Sequence, residues 1–107
     1  MNNSENIGKL MHLALAKIES AESCPESEFI MAGATEAILQ SGNRNWIPII
    51  VKEKGDYQYE VVSNHFVYAV AQQAKLDLVW CIVIDPKPSN IEQAKILARE
   101  EIPTVNL

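Results

Sequence analysis

The chain is 107 residues long, with a formal net charge of −5, 48% hydrophobic residues and 21% charged ones. That length makes one globular domain, able to bury roughly two-thirds of its unfolded surface. Arg44 and Arg99 are its two arginines, and its lysines are scattered among acids, so the basic footprint that phosphate backbones require is missing and nucleic acid is not an expected partner.

The first stretch reads as helix. Ile7, Leu10, Met11, Ala14 and Ile18 recur at three- and four-residue spacing, which predicts a helix from about Ser4 to Ser20, capped by Asn3 or Ser4. Ser23-Cys24-Pro25-Glu26 resembles a new helix start, because proline suits a first turn whose N–H has no partner. This second helix is expected to run to Gln40, with Phe29, Ile30, Gly33, Ala34, Ala37 and Ile38 facing inward. Gly42 is placed to end it in a left-handed cap. Residues 1–42 thus form a predicted helical head.

From Trp46 the period changes to two. Trp46-Ile47-Pro48-Ile49-Ile50-Val51 reads as a strand in which Pro48, lacking a ladder donor, marks an edge or a strand start. Glu53-Lys54-Gly55-Asp56 is a turn in which Gly55 supplies the permissive backbone. Tyr57, Tyr59 and Val61 alternate with polar residues as in a half-buried strand. Phe66, Ala69, Val70 and Gln73 follow helical spacing. Leu76–Ile84 is apolar on both faces, so cover is expected on both sides. After Asp85-Pro86-Lys87-Pro88, the pair Ser89 and Glu92 has the capping-box form and opens a last helix over residues 89–102, stopped by Pro103.

Cys24 and Cys81 show no metal-ligand spacing, so no metal is expected. The N-terminus lacks a basic segment followed by an apolar one, and no apolar run reaches the length of a bilayer span. The expectation is a reduced cytoplasmic protein without a membrane partner. Trp46, Trp80, Tyr57 and Tyr59, without flanking arginines, are expected in the core and in cross-strand pairs rather than as a platform for bases.

Residues 46–85, read as strand, hairpin, strand, helix, strand, resemble the ParB/sulfiredoxin fold family through PIIV, the YQYEVVS strand, the helix holding YAVAQQA, and VWCIVID. The helical head joined to this unit is also similar to a cyanobacterial group of ParB-like hypothetical proteins. The resemblance implies an α+β fold: a small mixed sheet with a ParB/sulfiredoxin-like core, two N-terminal helices and a C-terminal helix. It also implies a nucleotide-binding turn between second strand and helix. In ParB-like members that turn resembles Ser-Gly-Glu/His-Arg-Arg, and in sulfiredoxins Gly-Gly-Cys-His-Arg. Here the five places hold Ser63, Asn64, His65, Phe66 and Val67.

The departures have direct consequences. Glycine at this turn lets backbone N–H groups approach phosphate at a helix N-terminus, and Asn64 can take the same left-handed backbone. Forked arginine donors are replaced by Phe66 and Val67, which would desolvate an anion without compensation. His65 stands where the resemblance places a thiolate. Ser63, Asn64 and His65, with Arg44 in the preceding loop, remain the candidate ligand residues. Phe66 and Val67 either plug the old pocket or form an exposed contact patch. The expected function is a non-catalytic, cofactor-free protein-interaction or regulatory module that pairs with itself or another protein. The alternative is a nucleotide or nucleic-acid binder using what remains of the turn.

Overall fold

The computed structural model describes residues 8–101. Its elements are β1 (Gly8–Ala14), a single 3-10 turn, β2 (Ile18–Glu19), α1 (Glu28–Gln40), β3 (Ile49–Gly55), β4 (Gln58–Ser63), α2 (His65–Gln73), β5 (Leu78–Ile84) and α3 (Pro88–Leu97). The strands form one mixed sheet in the order β1-β5-β3-β4-β2. β5 runs parallel to β3 and antiparallel to β1, while β4 is antiparallel to β3 and parallel to β2. The architecture is α+β, as expected.

The predicted first helix is instead β1, the turn and β2; its expected start at Ser4 lies outside the described residues. The segment is rich enough in apolar residues to satisfy both periods. Period two also puts Met11 and Leu13 on one side and Leu10 and His12 on the other, and Leu13 packs against the core. A seven-residue ladder with β5, from Gly8↔Ile84 to Ala14↔Leu78, decides between the two patterns. Gly8 is needed there, because a Cβ would meet Ile82 Cγ2 at 2.9 Å.

The core lies on the sheet face that α2 covers. Ile49 and Val51 of β3, Tyr59 and Val61 of β4, and Val79 and Cys81 of β5 meet Tyr68 and Ala71 of α2, with Leu76 and Ile18 closing the ends. Each buried Ile, Val or Leu among them contributes about 1.5–3 kcal/mol through burial. Tyr68 O–H donates to Ile18 O at 3.0 Å and so holds β2 beside β4. α1 packs outside α2, and α3 lies over β4 on the opposite sheet face, beside Ile50 and Ile84.

Several local expectations are revised. α1 begins at Glu28, where the Ser27 hydroxyl accepts from Ile30 N–H at 3.2 Å, so the cap falls after Pro25. Phe29 and Ile30 point outward, and the half-buried side holds Met31, Ala34, Thr35 and Ile38. Gly42 does end the helix, with φ 80° and Asn43 N–H bonded back to Ile38 O. Trp46 and Ile47 precede β3 and are exposed; Pro48 marks the strand start. In the hairpin the left-handed residue is Tyr57, which is exposed, rather than Gly55. Of the four aromatics only Tyr59 is in the core; Trp80 stacks on His12 across strands, 4.3 Å between centroids.

β5 is sealed on one face, where Val79 and Cys81 are fully buried, and partly open on the other, where Leu78 and Trp80 are exposed. α3 starts at Pro88, with Lys87 as its cap, so the Ser89 box is not used; proline at the first position sets the start. It ends at Leu97, five residues before the expected end, in a reversal described below.

Ile49→Ala is expected to destabilise the chain by about 2–5 kcal/mol through loss of burial and the cavity left behind. Urea denaturation followed by circular dichroism measures this; a loss below about 1 kcal/mol would contradict the placement of β3 at the centre of the core.

Candidate functional site

β4 passes into α2 through one residue. Asn64 adopts φ 64° and ψ 43°, the left-handed region expected from the sequence. A β-carbon in this region costs about 1–2 kcal/mol, which asparagine offsets by local hydrogen bonding. Here its Nδ2 donates to Pro48 O at 2.7 Å, tying the turn to the entrance of β3. The side chain therefore does not cap α2.

A carboxylate from elsewhere takes that place. Asn64 N–H donates to Glu100 Oε1 at 3.1 Å, and His65 N–H donates to Glu100 Oε2 at 2.8 Å. His65 Nδ1 lies 2.9 Å from the same Oε2. The donors are the first N–H groups of a helix, which have no intrahelical acceptor and carry the positive end of its dipole. Sequence reasoning missed Glu100, since it predicted helix through residue 102. Instead Arg99, at φ 61°, takes the left-handed position after the helix, and Glu100 N–H bonds back to Lys95 O at 2.8 Å. This reversal, normally made with glycine, turns Glu100 toward α2.

His65 is largely buried between two acids. Its Nε2 lies 3.2 Å from Glu22 Oε2, within ion-pair range though not in hydrogen-bonding geometry. Glu22 is also 3.5 Å from Lys95 Nζ on α3. An imidazolium can donate from both ring nitrogens and a neutral imidazole from one. In either form neither nitrogen opens onto solvent for a substrate proton. Among the described residues, no group of three or more His, Cys, Asp or Glu side chains is arranged to hold a metal.

The other candidate residues separate around this turn. Ser63 is fully buried and its hydroxyl has no hydrogen-bond partner among the described residues; it borders a space of about 300 Å³ beneath α3 with Ile50, Ile84 and Ala94. Phe66 and Val67 point the opposite way. They are half-buried and line an apolar groove of about 220 Å³ with Ala34, Ala37, Ile38 and Trp46. They therefore neither fill the anion position nor stand fully exposed; Glu100 fills it.

Arg44 is not brought to the turn's N–H groups; its guanidinium lies 6.0 Å from the centroid of Trp46. Beside it Asn45 is buried and acts as an extra rung of the sheet. Its Nδ2 donates to Trp80 O at 2.8 Å and its Oδ1 accepts from Trp80 N–H at 2.9 Å. The loop proposed as a phosphate contact is thus fastened to β5. Trp46, Trp80, His12 and Arg44 border an open cleft of about 630 Å³ on the less covered sheet face.

Neither thiol is activated. Burial pushes the Cys81 thiol up to about 12. Cys24 is also raised, first by partial burial and then by the negative charges of Glu26 and Glu100. A raised thiol holds less nucleophilic thiolate at a given pH.

No protein-family model and no curated protein matches the sequence. Solved structures do match the backbone. The chain is similar to the C-terminally truncated chromosome-partitioning protein ParB from Caulobacter crescentus complexed with CTP-gamma-S, at a TM-score of 0.70 and 18% identity, covering 91% of this chain and 56% of that one. It is similar to sulfiredoxin from Arabidopsis thaliana at 0.62 and 20% identity, covering 80% and 96% respectively. A free serine kinase in complex with ADP gives 0.55 and 18% identity, with 71% of this chain and 31% of that one covered. The fold is therefore ParB/sulfiredoxin-like, and the chain spans little more than half the length of the ParB protein it resembles.

Two outcomes are expected. Asn64→Ala places a β-carbon in the left-handed region without compensation, at about 1–2 kcal/mol, and loses a hydrogen bond worth about 0.5–1.5 kcal/mol; Asn64→Gly loses only the bond. Thermal denaturation should rank wild type above Gly above Ala, and equal losses would contradict the backbone assignment. With Ellman's reagent at mildly alkaline pH, Cys81 should react only on unfolding and Cys24 more slowly than a small free thiol. Rapid modification of Cys81 in the folded chain would contradict its burial.

Proposed function

We infer that this chain is a non-catalytic interaction module, and that its partner is a second copy of itself bound through α1 and the apolar groove beside α2. The observation that carries the reading is the state of α1: none of its residues is fully buried, yet it is largely apolar. Phe29 is 88% exposed, and beyond the helix Trp46 and Ile47 are 73% and 60% exposed. Ile30, Ala34, Ala37 and Ile38 recur at three- and four-residue spacing and continue the groove along the helix. Exposed apolar surface of this extent is the mark of an interaction site.

A twofold pairing suits the charges at the ends of this surface. Antiparallel α1 helices would set Glu28, at the start of one helix, near Arg44, just past the end of the other. The small residues Ala32 and Gly33 would then permit close approach of the two helices, and a Cβ added at Gly33 meets nothing within 4 Å in the single chain.

The non-catalytic part of the reading is supported by the turn. Its N–H groups hold Glu100, His65 is enclosed by two acids, and both thiols are raised. A second reading, a nucleotide binder, is favoured by one observation: the left-handed turn still presents two N–H groups to an oxyanion, here a carboxylate. ParB and the serine kinase named above are bound to CTP-gamma-S and ADP respectively.

Light scattering at increasing concentration tests self-pairing. The wild-type chain is expected to be dimeric, and Trp46→Asp combined with Ile47→Asp monomeric with an unchanged circular dichroism spectrum. A monomer at all accessible concentrations would sink the self-pairing reading. Calorimetry with ATP, CTP and GTP is expected to show no micromolar binding; such binding would move the assignment to the second reading.

A further inference from the structure

We propose that Glu100 is a releasable latch, an internal oxyanion that closes the α2 N-terminus and must leave before another anion can enter. The proposal concerns the turn rather than the α1 surface, so it stands or falls separately from self-pairing. One carboxylate receives three contacts, from Asn64 N–H, His65 N–H and His65 Nδ1, at 3.1, 2.8 and 2.9 Å. Two oxygens of another oxyanion, carboxylate or phosphoryl, can meet the same donors, whether they arrive on a side chain or a ligand. One residue before these donors the Ser63 hydroxyl is fully buried and without a partner among the described residues, in the space beneath α3 that Asn64 also lines. That orphaned donor is a polar group which the latch itself does not satisfy.

The latch is built to open locally. Glu100 follows Arg99, a non-glycine residue held at φ 61°, a backbone conformation that side-chain-bearing residues disfavour. A change of backbone at residues 99 and 100, past the end of α3, swings the carboxylate out and leaves in place the α3 residues that face Ile50 and Ile84. The Glu100 side chain keeps 24% exposure, so a competing anion can reach it from solvent. The closed state is reinforced from a third segment, because Glu22 bridges His65 and Lys95, at 3.2 and 3.5 Å. His65 thereby joins the segment before α1 to the end of α3.

Competition decides how the latch reads out. A tethered carboxylate competes at an effective concentration of roughly millimolar or above, so the closed latch weakens a free anion's apparent affinity by the ratio of that concentration to the carboxylate's own dissociation constant. Removing the carboxylate exposes the same donors with the backbone already in place.

The test uses the full chain, with inorganic pyrophosphate as the probe and the backbone amides of Asn64 and His65 as the readout in ¹⁵N–¹H spectra. In Glu100→Ala these two amides should exchange with solvent about tenfold faster or more, the effect of losing a hydrogen bond to a charged group. Millimolar pyrophosphate should shift them in Glu100→Ala and in Glu100→Gln, and leave them in place in wild type and in the neighbouring Glu101→Ala. Three results would overturn the proposal: unchanged amide exchange in Glu100→Ala, equal pyrophosphate shifts in wild type and variant, or faster exchange without any pyrophosphate shift, which would make Glu100 a helix cap only. None of these readouts depends on whether the chain dimerises.

Discussion

One residue connects β4 to α2, and much of the molecule is arranged around the backbone it must adopt. With Asn64 at positive φ the chain leaves the sheet and begins a helix without a loop. This sets α2 across the face that carries Ile49, Val51, Val79 and Cys81, and so determines which face becomes the core. It also leaves the first N–H groups of α2 pointing away from any acceptor in their own helix. Asn64 does not satisfy them, because its side chain is committed to Pro48 O. Something else has to, and in this chain it is Glu100.

That placement explains how this turn is satisfied without flanking arginines. A helix N-terminus favours negative charge of any origin. Where basic side chains flank the turn, an external anion gains both dipole and charge. Where Phe66 and Val67 stand instead, a free anion gains the dipole alone and competes poorly with a tethered carboxylate already in place. The two apolar residues turn toward α1, where they line a groove. The turn thus faces two ways, with a neutralised polar side under the end of α3 and an apolar side under α1.

How much of this was legible in the sequence depended on the range of the interaction that decides each feature. The strand, hairpin, strand, helix, strand order from β3 to β5 was legible because each piece has its own period or turn chemistry. The left-handed Asn64 and the Gly42 cap were legible for the same reason, since asparagine and glycine announce such positions. β1 was not: Leu10, Met11, Leu13 and Ala14 fit a helix as well as a strand, and the choice rests on β5, about seventy residues away along the chain in the register Gly8↔Ile84. Tyr57 and Arg99 were not legible either, because neither residue type marks a left-handed position. Missing Arg99 meant missing the end of α3, and with it Glu100, whose contacts lie 35 and 36 residues away.

The two asparagines around the site show why residue type alone misleads at this range. Asn45 and Asn64 both sit in loops where an exposed polar role is the ordinary expectation. Both instead complete backbone hydrogen bonding that the sheet leaves unfinished: Asn45 pairs with both groups of Trp80, and Asn64 with the carbonyl of Pro48. Between them they hold the entrance of β3 to its neighbours on two sides. The loop they brace carries Arg44, Trp46 and Ile47 outward on a rigid mount. An exposed tryptophan on a mobile loop would lose side-chain and backbone entropy on binding, whereas on a braced loop most of that cost is already met in folding. The asparagines that deny the loop a ligand role are thus what make its apolar residues suited to a contact surface.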